Sequence, residues 1–219
     1  MKRGKFITLE GCEGVGKSTN LSFMYDCLRD RGIDAVVTRE PGGTPLAEEI
    51  RAMVLNKRDE AVDAMAELLL IFAARSQHLN TVILPALNAG RWVLCDRFTD
   101  ATYAYQGTGR NLSAATVAQL ENLVQGKLRP DLTILLDIDI DLGLQRASER
   151  GELDRFESEP RHFFETVRAA YLQRARQDPQ RFAIVDAAPV LTQVQNDIRL
   201  HLEQLVHDDR IHGDRIDGD

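Results

Sequence analysis

Phe6-Ile7-Thr8-Leu9-Glu10-Gly11-Cys12-Glu13-Gly14-Val15-Gly16-Lys17-Ser18-Thr19 is the stretch that decides the fold. An apolar run passes into the pattern G-x-x-x-x-G-K-[ST] over Gly11 to Ser18, and helix-like sequence follows. The spacing has a physical cause. A glycine-rich turn lets successive backbone N–H groups point inward at phosphate oxygens, and the helix behind it offers its positive end. Lys17 would reach the β- and γ-phosphates. The Ser18 hydroxyl would hold Mg²⁺, an ion that prefers oxygen ligands and keeps several waters. Gly11, Cys12, Glu13, Gly14, Val15, Gly16, Lys17, Ser18 and Thr19 are therefore expected to bind ATP or another nucleoside triphosphate. A turn that merely joins strand to helix is the competing reading, and the flanking segments disfavour it.

Working outward, apolar runs bounded by turn signals predict five strands, at 6–10, 34–38, 91–96, 131–137 and 182–186. Helices are predicted over 17–31, which is amphipathic, over 63–89, which is long and apolar with Arg75 and Gln77 set into it, and over 113–126 and 160–177, which repeat the 3.6 period. Trp92-Val93-Leu94-Cys95 and Leu132-Thr133-Ile134-Leu135-Leu136 are nearly continuous in apolar character, which implies burial on both faces, as in a parallel sheet covered by helices. The predicted fold is a five-stranded, doubly wound α/β domain over residues 1–206. In such sheets ligands sit beyond the carboxyl ends of the strands. The charged, glycine-bearing segment 207–219 reads as a frayed tail.

The chain has 219 residues and a net charge of −7, which suits one domain and argues against broad nucleic-acid binding. Its three cysteines form no C-x-x-C pair, so a reduced cytoplasmic protein without structural metal is expected. No signal peptide is recognisable at the start, and no apolar stretch has the length of a membrane span.

Further constellations follow the strands. Arg39-Glu40-Pro41-Gly42-Gly43-Thr44 precedes a helix carrying Arg51, and both arginines are expected to face the ligand crevice. A turn residue and a solvated helix charge are the alternatives. Asp96-Arg97 closes the third strand, where the carboxylate could orient a Mg²⁺-bound water and the guanidinium could grip a phosphate; a capping salt bridge is the alternative. Thr102, Tyr105 and Gln106 share one helix face. Arg75 interrupts an apolar helix, and a buried guanidinium needs either a ligand acceptor or an internal carboxylate. Arg146, Arg150 and Arg155 stud the segment 146–158, which reads either as a solvated helix end or as a lid whose cations close over a transferring phosphoryl group.

Together the phosphate loop with Glu13 inside it, Thr38-Arg39-Glu40-Pro41-Gly42-Gly43-Thr44, Asp96-Arg97-Phe98, Ala104-Tyr105-Gln106-Gly107, Arg129-Pro130-Asp131-Leu132-Thr133 and Arg150-Gly151-Glu152-Leu153-Asp154-Arg155 resemble the bacterial thymidylate kinases, over about residues 5–205. The resemblance implies a P-loop nucleoside monophosphate kinase fold, transfer of the ATP γ-phosphoryl group to dTMP in dTTP synthesis, and a homodimer built on the helix 63–89. It implies that Glu13 accepts the deoxyribose 3′-hydroxyl and that Arg39, Arg51 and Arg97 surround the acceptor phosphate. Tyr105 would fill the space of a 2′-hydroxyl, Arg75 would donate to thymine O4, and Thr102 and Gln106 would serve the other polar edge of the base. Two departures stand out. The ring that stacks on the base in this family falls at Ile71, which leaves Phe72 as the candidate. The lid has Ser148 where relatives often carry arginine, and Gly14 stands where one subtype places a loop arginine, so Arg146, Arg150 and Arg155 are expected to deliver the catalytic charge together with Lys17, Asp96 and Arg97.

Other nucleoside monophosphate or deoxynucleoside kinases and a non-enzymatic switch are the competing classes. Asn56-Lys57-Arg58-Asp59 spells the base-reading motif of regulatory GTPases, but it stands too early and no D-x-x-G occurs in the chain.

Overall fold

The computed structural model describes residues 2–149 and 154–214. Five strands, β1 (Phe6–Glu10), β2 (Ala35–Arg39), β3 (Trp92–Asp96), β4 (Leu132–Asp137) and β5 (Phe182–Asp186), form one parallel sheet in the order β2-β3-β1-β4-β5. The apolar runs account for it. All five residues of β1 are buried, and β3 and β4 are buried up to their last residues, because helices cover both faces. Leu9 and Arg39 both register against Asp96, so the carboxyl ends of β1, β2 and β3 lie level and deliver their following loops to one edge.

Helices α1 (Lys17–Arg29), α2 (Pro45–Leu55), α3 (Ala64–His78), α4 (Leu84–Asn88), α5 (Thr99–Thr102), α6 (Ala114–Gln125), α7 (Ile140–Ser148), α8 (Arg161–Gln177) and α9 (Leu191–Asp214) surround the sheet. One core lies where α1 and α9 pack on the sheet through Leu21, Met24 and Leu28 with Ile198 and Leu202. A second gathers α2, α3 and α8 around Ile50, Ile71, Phe164 and Val167. Among the described residues no helix is long and apolar enough to cross a membrane, and Cys12, Cys27 and Cys95 are buried free thiols.

Two predictions need correction. The expected single helix 63–89 is interrupted by a π-helical stretch, Leu79–Ile83, just ahead of Pro85, whose missing N–H cannot continue the α-helical ladder. The tail predicted to fray from residue 207 instead continues α9 as far as Asp214. Val194, Ile198, Leu202 and Val206 form its buried stripe, and Lys2 Nζ holds the Asp209 carboxylate at 2.9 Å. A second π-helical stretch, Tyr103–Gly109, follows α5 directly and bears on the site.

Candidate active site

The loop after β1 is shaped by what glycine permits. Gly14 has φ 72°, and a Cβ there would lie 1.9 Å from the Gly143 carbonyl oxygen, so this loop accepts no arginine at that position. Gly16 (φ 84°) sits at the N-cap of α1 and gives no side-chain cap, whereas Thr44, Asp63, Ser113 and Asp139 cap α2, α3, α6 and α7. The first N–H groups of α1 therefore remain available to an anion. Lys17 Nζ donates to the carbonyls of Gly11 (3.2 Å) and Cys12 (2.8 Å) and lies 3.9 Å from Glu13 Oε2. Burial, and next the neighbouring Arg97 charge, lower its pKa. Cys12 is no nucleophile, because burial pushes its thiol up to about 12.

These residues open onto a cavity of about 220 Å³, lined by Glu13 to Ser18, Glu40, Pro41, Arg51, Ile71, Arg75, Asp96, Arg97, Phe98, Thr102, Tyr105 and Gln106, with Asp154, Phe156 and Glu157 at its rim. Gly11 and Cys12 back the loop, and Thr19 is exposed on the first turn of α1.

Asp96 and Arg97 enter together at the end of β3. Arg97 has φ 66°, a conformation unfavourable for a side chain other than glycine's, which turns its guanidinium back over the phosphate loop. There it donates to Gly11 O (2.7 Å), Tyr171 Oη (3.3 Å) and Glu13 Oε1 (2.6 Å), and it stands 4.9 Å above the Tyr105 ring. Burial is the largest single influence and opposes its charge, but Glu13, Tyr105, Tyr171 and Asp96 together outweigh it and hold the guanidinium firmly protonated. Tyr105 donates to the same Glu13 oxygen at 3.0 Å. Asp96 Oδ1 is buried without a hydrogen-bond partner, an acceptor that a hydrated cation would satisfy. Arg51 donates to Pro41 O (2.9 Å), and burial lowers its pKa.

At the far end, Arg75 is 1 % exposed and has found the internal carboxylate, one of its two alternatives. Its Nε donates to Glu40 Oε2 (2.6 Å) and its Nη2 to Thr102 Oγ1 (2.9 Å), while Nη1 is buried with no partner. Glu40 is anchored in turn by His78 Nδ1 (3.0 Å), whose Nε2 meets Thr38 Oγ1 (2.6 Å). The internal salt bridge thus aims the guanidinium, and one N–H pair is left for a ligand acceptor. Gln106 Nε2 donates to Glu67 Oε1 at 2.8 Å. The sequence singled out Arg75, as a charge in an apolar helix, and Gln106, by its spacing, but not their partners: Glu40 stood inside a quoted motif without a role, and Glu67 carried no signal beyond a charge in an apolar helix.

Besides Gly11, Cys12 and Thr19, four further expected positions among the described residues do not line the cavity. Arg39 is half exposed and grips Glu48 (3.3 and 2.8 Å), because edge-strand alternation in β2 sends it outward and Glu40 inward. Phe72 is buried beside Leu68 and Val117 with the Arg75 guanidinium 4.8 Å from its ring, so it supports Arg75; Ile71 lines the cavity instead. Arg155 donates to Val54 O (2.7 Å) and Glu67 (2.5 Å), drawn by the unsatisfied carbonyls at the end of α2. Arg146 donates to the carbonyls of Ala187 (2.8 Å) and Ala188 (3.0 Å) beyond β5. Arg150 lies outside the described residues.

Behind the site Glu10 is buried and accepts from Phe98 N–H (2.7 Å) and Tyr171 Oη (2.8 Å). Burial, then the charge of Asp100, push its pKa from 4.5 up to about 8. The native state keeps this proton where the unfolded chain has lost it. The stability it contributes is therefore full at acid pH and is lost as pH rises through that raised pKa. Glu10→Gln, neutral throughout, is expected to raise Tm relative to the parent chain by an amount that grows from about pH 5 to about pH 9. Calorimetry at matched ionic strength checks this; a gain independent of pH would remove Glu10 from the account.

Comparison with known proteins places this geometry. A model of the thymidylate kinase family matches residues 9–198. The chain is 62 % identical over 200 residues to a thymidylate kinase of Teredinibacter turnerae, covering 91 % of this chain and 98 % of that one. It is 61 % identical over 203 residues to that of Ectopseudomonas mendocina, covering 93 % and 97 %. The crystal structure of thymidylate kinase from Ehrlichia chaffeensis superposes with a TM-score of 0.73 at 28 % identity, covering 93 % of this chain and 99 % of that chain.

Proposed function

The chain belongs to the thymidylate kinase family, and from that premise we propose how its residues divide the work of moving the γ-phosphoryl group of ATP to dTMP, giving dTDP and ADP. The observation that carries the reading is Arg75 Nη1, a buried donor without a partner, in the same cavity as the phosphate-loop lysine and Arg97. A 4-oxo pyrimidine satisfies that donor. Its 5′-phosphate then points toward Arg97 and Arg51, and the ATP phosphates lie over the loop and the free N–H groups of α1.

A phosphate oxygen of dTMP attacks the γ-phosphorus in line. The bond from the γ-phosphorus to the β,γ-bridging oxygen breaks, and ADP leaves with that oxygen. A phosphate monoester dianion needs no strong protein base, so positioning and neutralisation of charge dominate. Lys17 moves from the Gly11 and Cys12 carbonyls onto the β- and γ-phosphates. Because Gly14 excludes a loop arginine and both Arg146 and Arg155 are engaged elsewhere, Arg150 is the lid cation assigned to the transition state. Glu13, held by Arg97 and Tyr105, receives the deoxyribose 3′-hydroxyl, and the Tyr105 ring occupies the room that a 2′-hydroxyl would need.

Mg²⁺ fits this donor set. Among the described residues no group of three or more His, Cys, Asp or Glu gathers as a metal cage. Ser18 and the unpartnered Asp96 carboxylate line the cavity, the sparse protein contribution that suits an ion held mainly by waters and phosphates. Once bound it would offset phosphate charge.

A homodimer is the assembly proposed: Met53 on α2, Met65 and Leu69 on α3 and Leu123 on α6 expose apolar side chains on three neighbouring helices. One domain and a cytoplasmic setting complete the reading.

An acceptor panel with ATP and Mg²⁺, followed as ADP formation, tests it. Activity is expected to be highest with dTMP and residual with dUMP, since one methyl group contributes only about 1–3 kcal/mol. With dCMP it should fall by a factor on the order of 10⁴, and a preference for dCMP would overturn the assignment of Arg75.

A further inference from the structure

Resting on the reading above that Gln106 meets the acceptor base, we propose that Glu67, which does not line the cavity, fixes the hydrogen-bonding polarity that Gln106 shows to that base. Glu67 is thereby a positioning residue that selects 4-oxo over 4-amino pyrimidines.

The two ends of a primary amide are nearly alike in shape. A glutamine amide can turn either end toward a ligand, offering a carbonyl acceptor or an NH₂ donor, and its own shape does not choose. Glu67 chooses. It is fully buried on the first turn of α3, and the groups that face its carboxylate are donors: Gln106 Nε2 at 2.8 Å and Arg110 Nε at 3.5 Å on Oε1, and Arg155 Nη2 at 2.5 Å on Oε2. A carboxylate ringed by guanidinium groups only accepts. The nitrogen of the Gln106 amide is thus committed to Glu67, and its carbonyl oxygen is the end left for the cavity that Gln106 lines.

The consequence is chemical. Thymine and uracil present an N3–H donor beside the O4 acceptor, which match the Gln106 carbonyl and the Arg75 donor. Cytosine presents a bare N3 acceptor beside an amine and is mismatched at both positions. Arg75 can only donate, so its polarity needs no support. Gln106 could invert, and the acceptor-only neighbour prevents it. Glu67 also joins the base reader to the rim of the site, because Arg155 is next to Phe156 and lies 4.5 Å from that ring.

The test compares kcat/KM for dTMP, dUMP and dCMP in the parent enzyme, Glu67→Gln, Glu67→Asp and Gln106→Ala. Glu67→Gln keeps the shape but supplies an amide that can face Gln106 either way. The dTMP to dCMP preference is expected to fall about tenfold, the worth of one correctly oriented hydrogen bond, with KM for ATP unchanged. The dTMP to dUMP ratio should not move, because both bases carry N3–H and O4. Glu67→Asp, still acceptor-only, is expected to retain the preference even if its KM rises. Glu67→Gln lowering all three acceptors in parallel, or Glu67→Asp losing the preference equally, would make Glu67 merely structural and overturn the proposal. Gln106→Ala leaving the dTMP to dCMP ratio intact would instead show that Gln106 does not meet the base, a distinct failure of the reading beneath. If circular dichroism shows Glu67→Gln unfolded, Glu67→Gln combined with Arg155→Gln removes both members of the buried pair and carries the same expectation.

Discussion

Lys17→Ala is expected to lower kcat by two to three orders of magnitude, about what removing one preorganised donor to a transition-state charge costs, while KM for dTMP changes little. Lys17 is poised for this task by its surroundings. Its ammonium lies on the Gly11 and Cys12 carbonyls, within the loop that receives the triphosphate. Burial lowers its pKa, which means that its charge is poorly solvated before ligand arrives and gains when phosphate oxygens replace the carbonyls. The fold should survive, because the side chain spans no core layer, its hydrogen bonds go to backbone carbonyls, and its ion pair with Glu13 is long at 3.9 Å. Single-turnover phosphoryl transfer, measured beside dTMP binding, separates the two effects. A variant with parental turnover would remove Lys17 from the chemical step; a variant that loses dTMP affinity as severely as turnover would place it at the acceptor instead.

The second large effect falls on both stability and recognition. Arg75→Met is expected to destabilise the fold by about 3–5 kcal/mol, since it strands the Glu40 carboxylate in the interior with only His78 beside it. It should also cut kcat/KM for dTMP by a factor on the order of 10² or more, because a buried polar contact to O4 is lost. Glu40 is 3 % exposed, and methionine offers its carboxylate no donor in place of the guanidinium. The two effects can be told apart: adding Glu40→Gln should recover much of the stability, measured by urea unfolding, without recovering dTMP affinity, measured by titration calorimetry. If dTMP binds Arg75→Met as well as it binds the parent, the unpartnered Nη1 has some other use and the orientation of the base must be abandoned.

The phosphate loop was readable residue by residue because its requirements are local. Gly14 and Gly16 need positive φ, Lys17 and Ser18 follow at fixed spacing, and the strand and helix on either side are set by apolar periodicity. The five strands and their parallel arrangement were legible for the same reason. Arg97, Arg75, Tyr105 and Gln106 were legible because each follows a strand or sits as a polar group in an apolar helix. Arg146 and Arg155 were not, since their destinations depend on neighbours far along the chain: Arg155 on the open carbonyl end of α2, Arg146 on the loop after β5. Arg39 and Phe72 missed the cavity for local reasons, Arg39 by strand alternation that leaves it to Glu48 and Phe72 by a rotation of about 100° around the helix from Ile71. The stripe Val194, Ile198, Leu202 and Val206 was present in the sequence, but the ion pairs that Lys2 and Lys5, at the other end of the chain, make with Asp209 beyond it were not.

Sequence by itself determined the sheet, the phosphate loop and the place of the buried guanidinium of Arg75, because backbone dihedrals, apolar periodicity and the interruption of an apolar helix act over a few residues. Only the tertiary structure decided which donor atoms remain unspent. Glu40 takes Arg75 Nε from 35 residues away and Glu67 takes Gln106 Nε2 from 39, and what each carboxylate accepts determines what is left for the ligand. Hydrogen-bond valence is consumed by whichever groups the fold brings within about 3 Å, and that distance is a property of the packed chain.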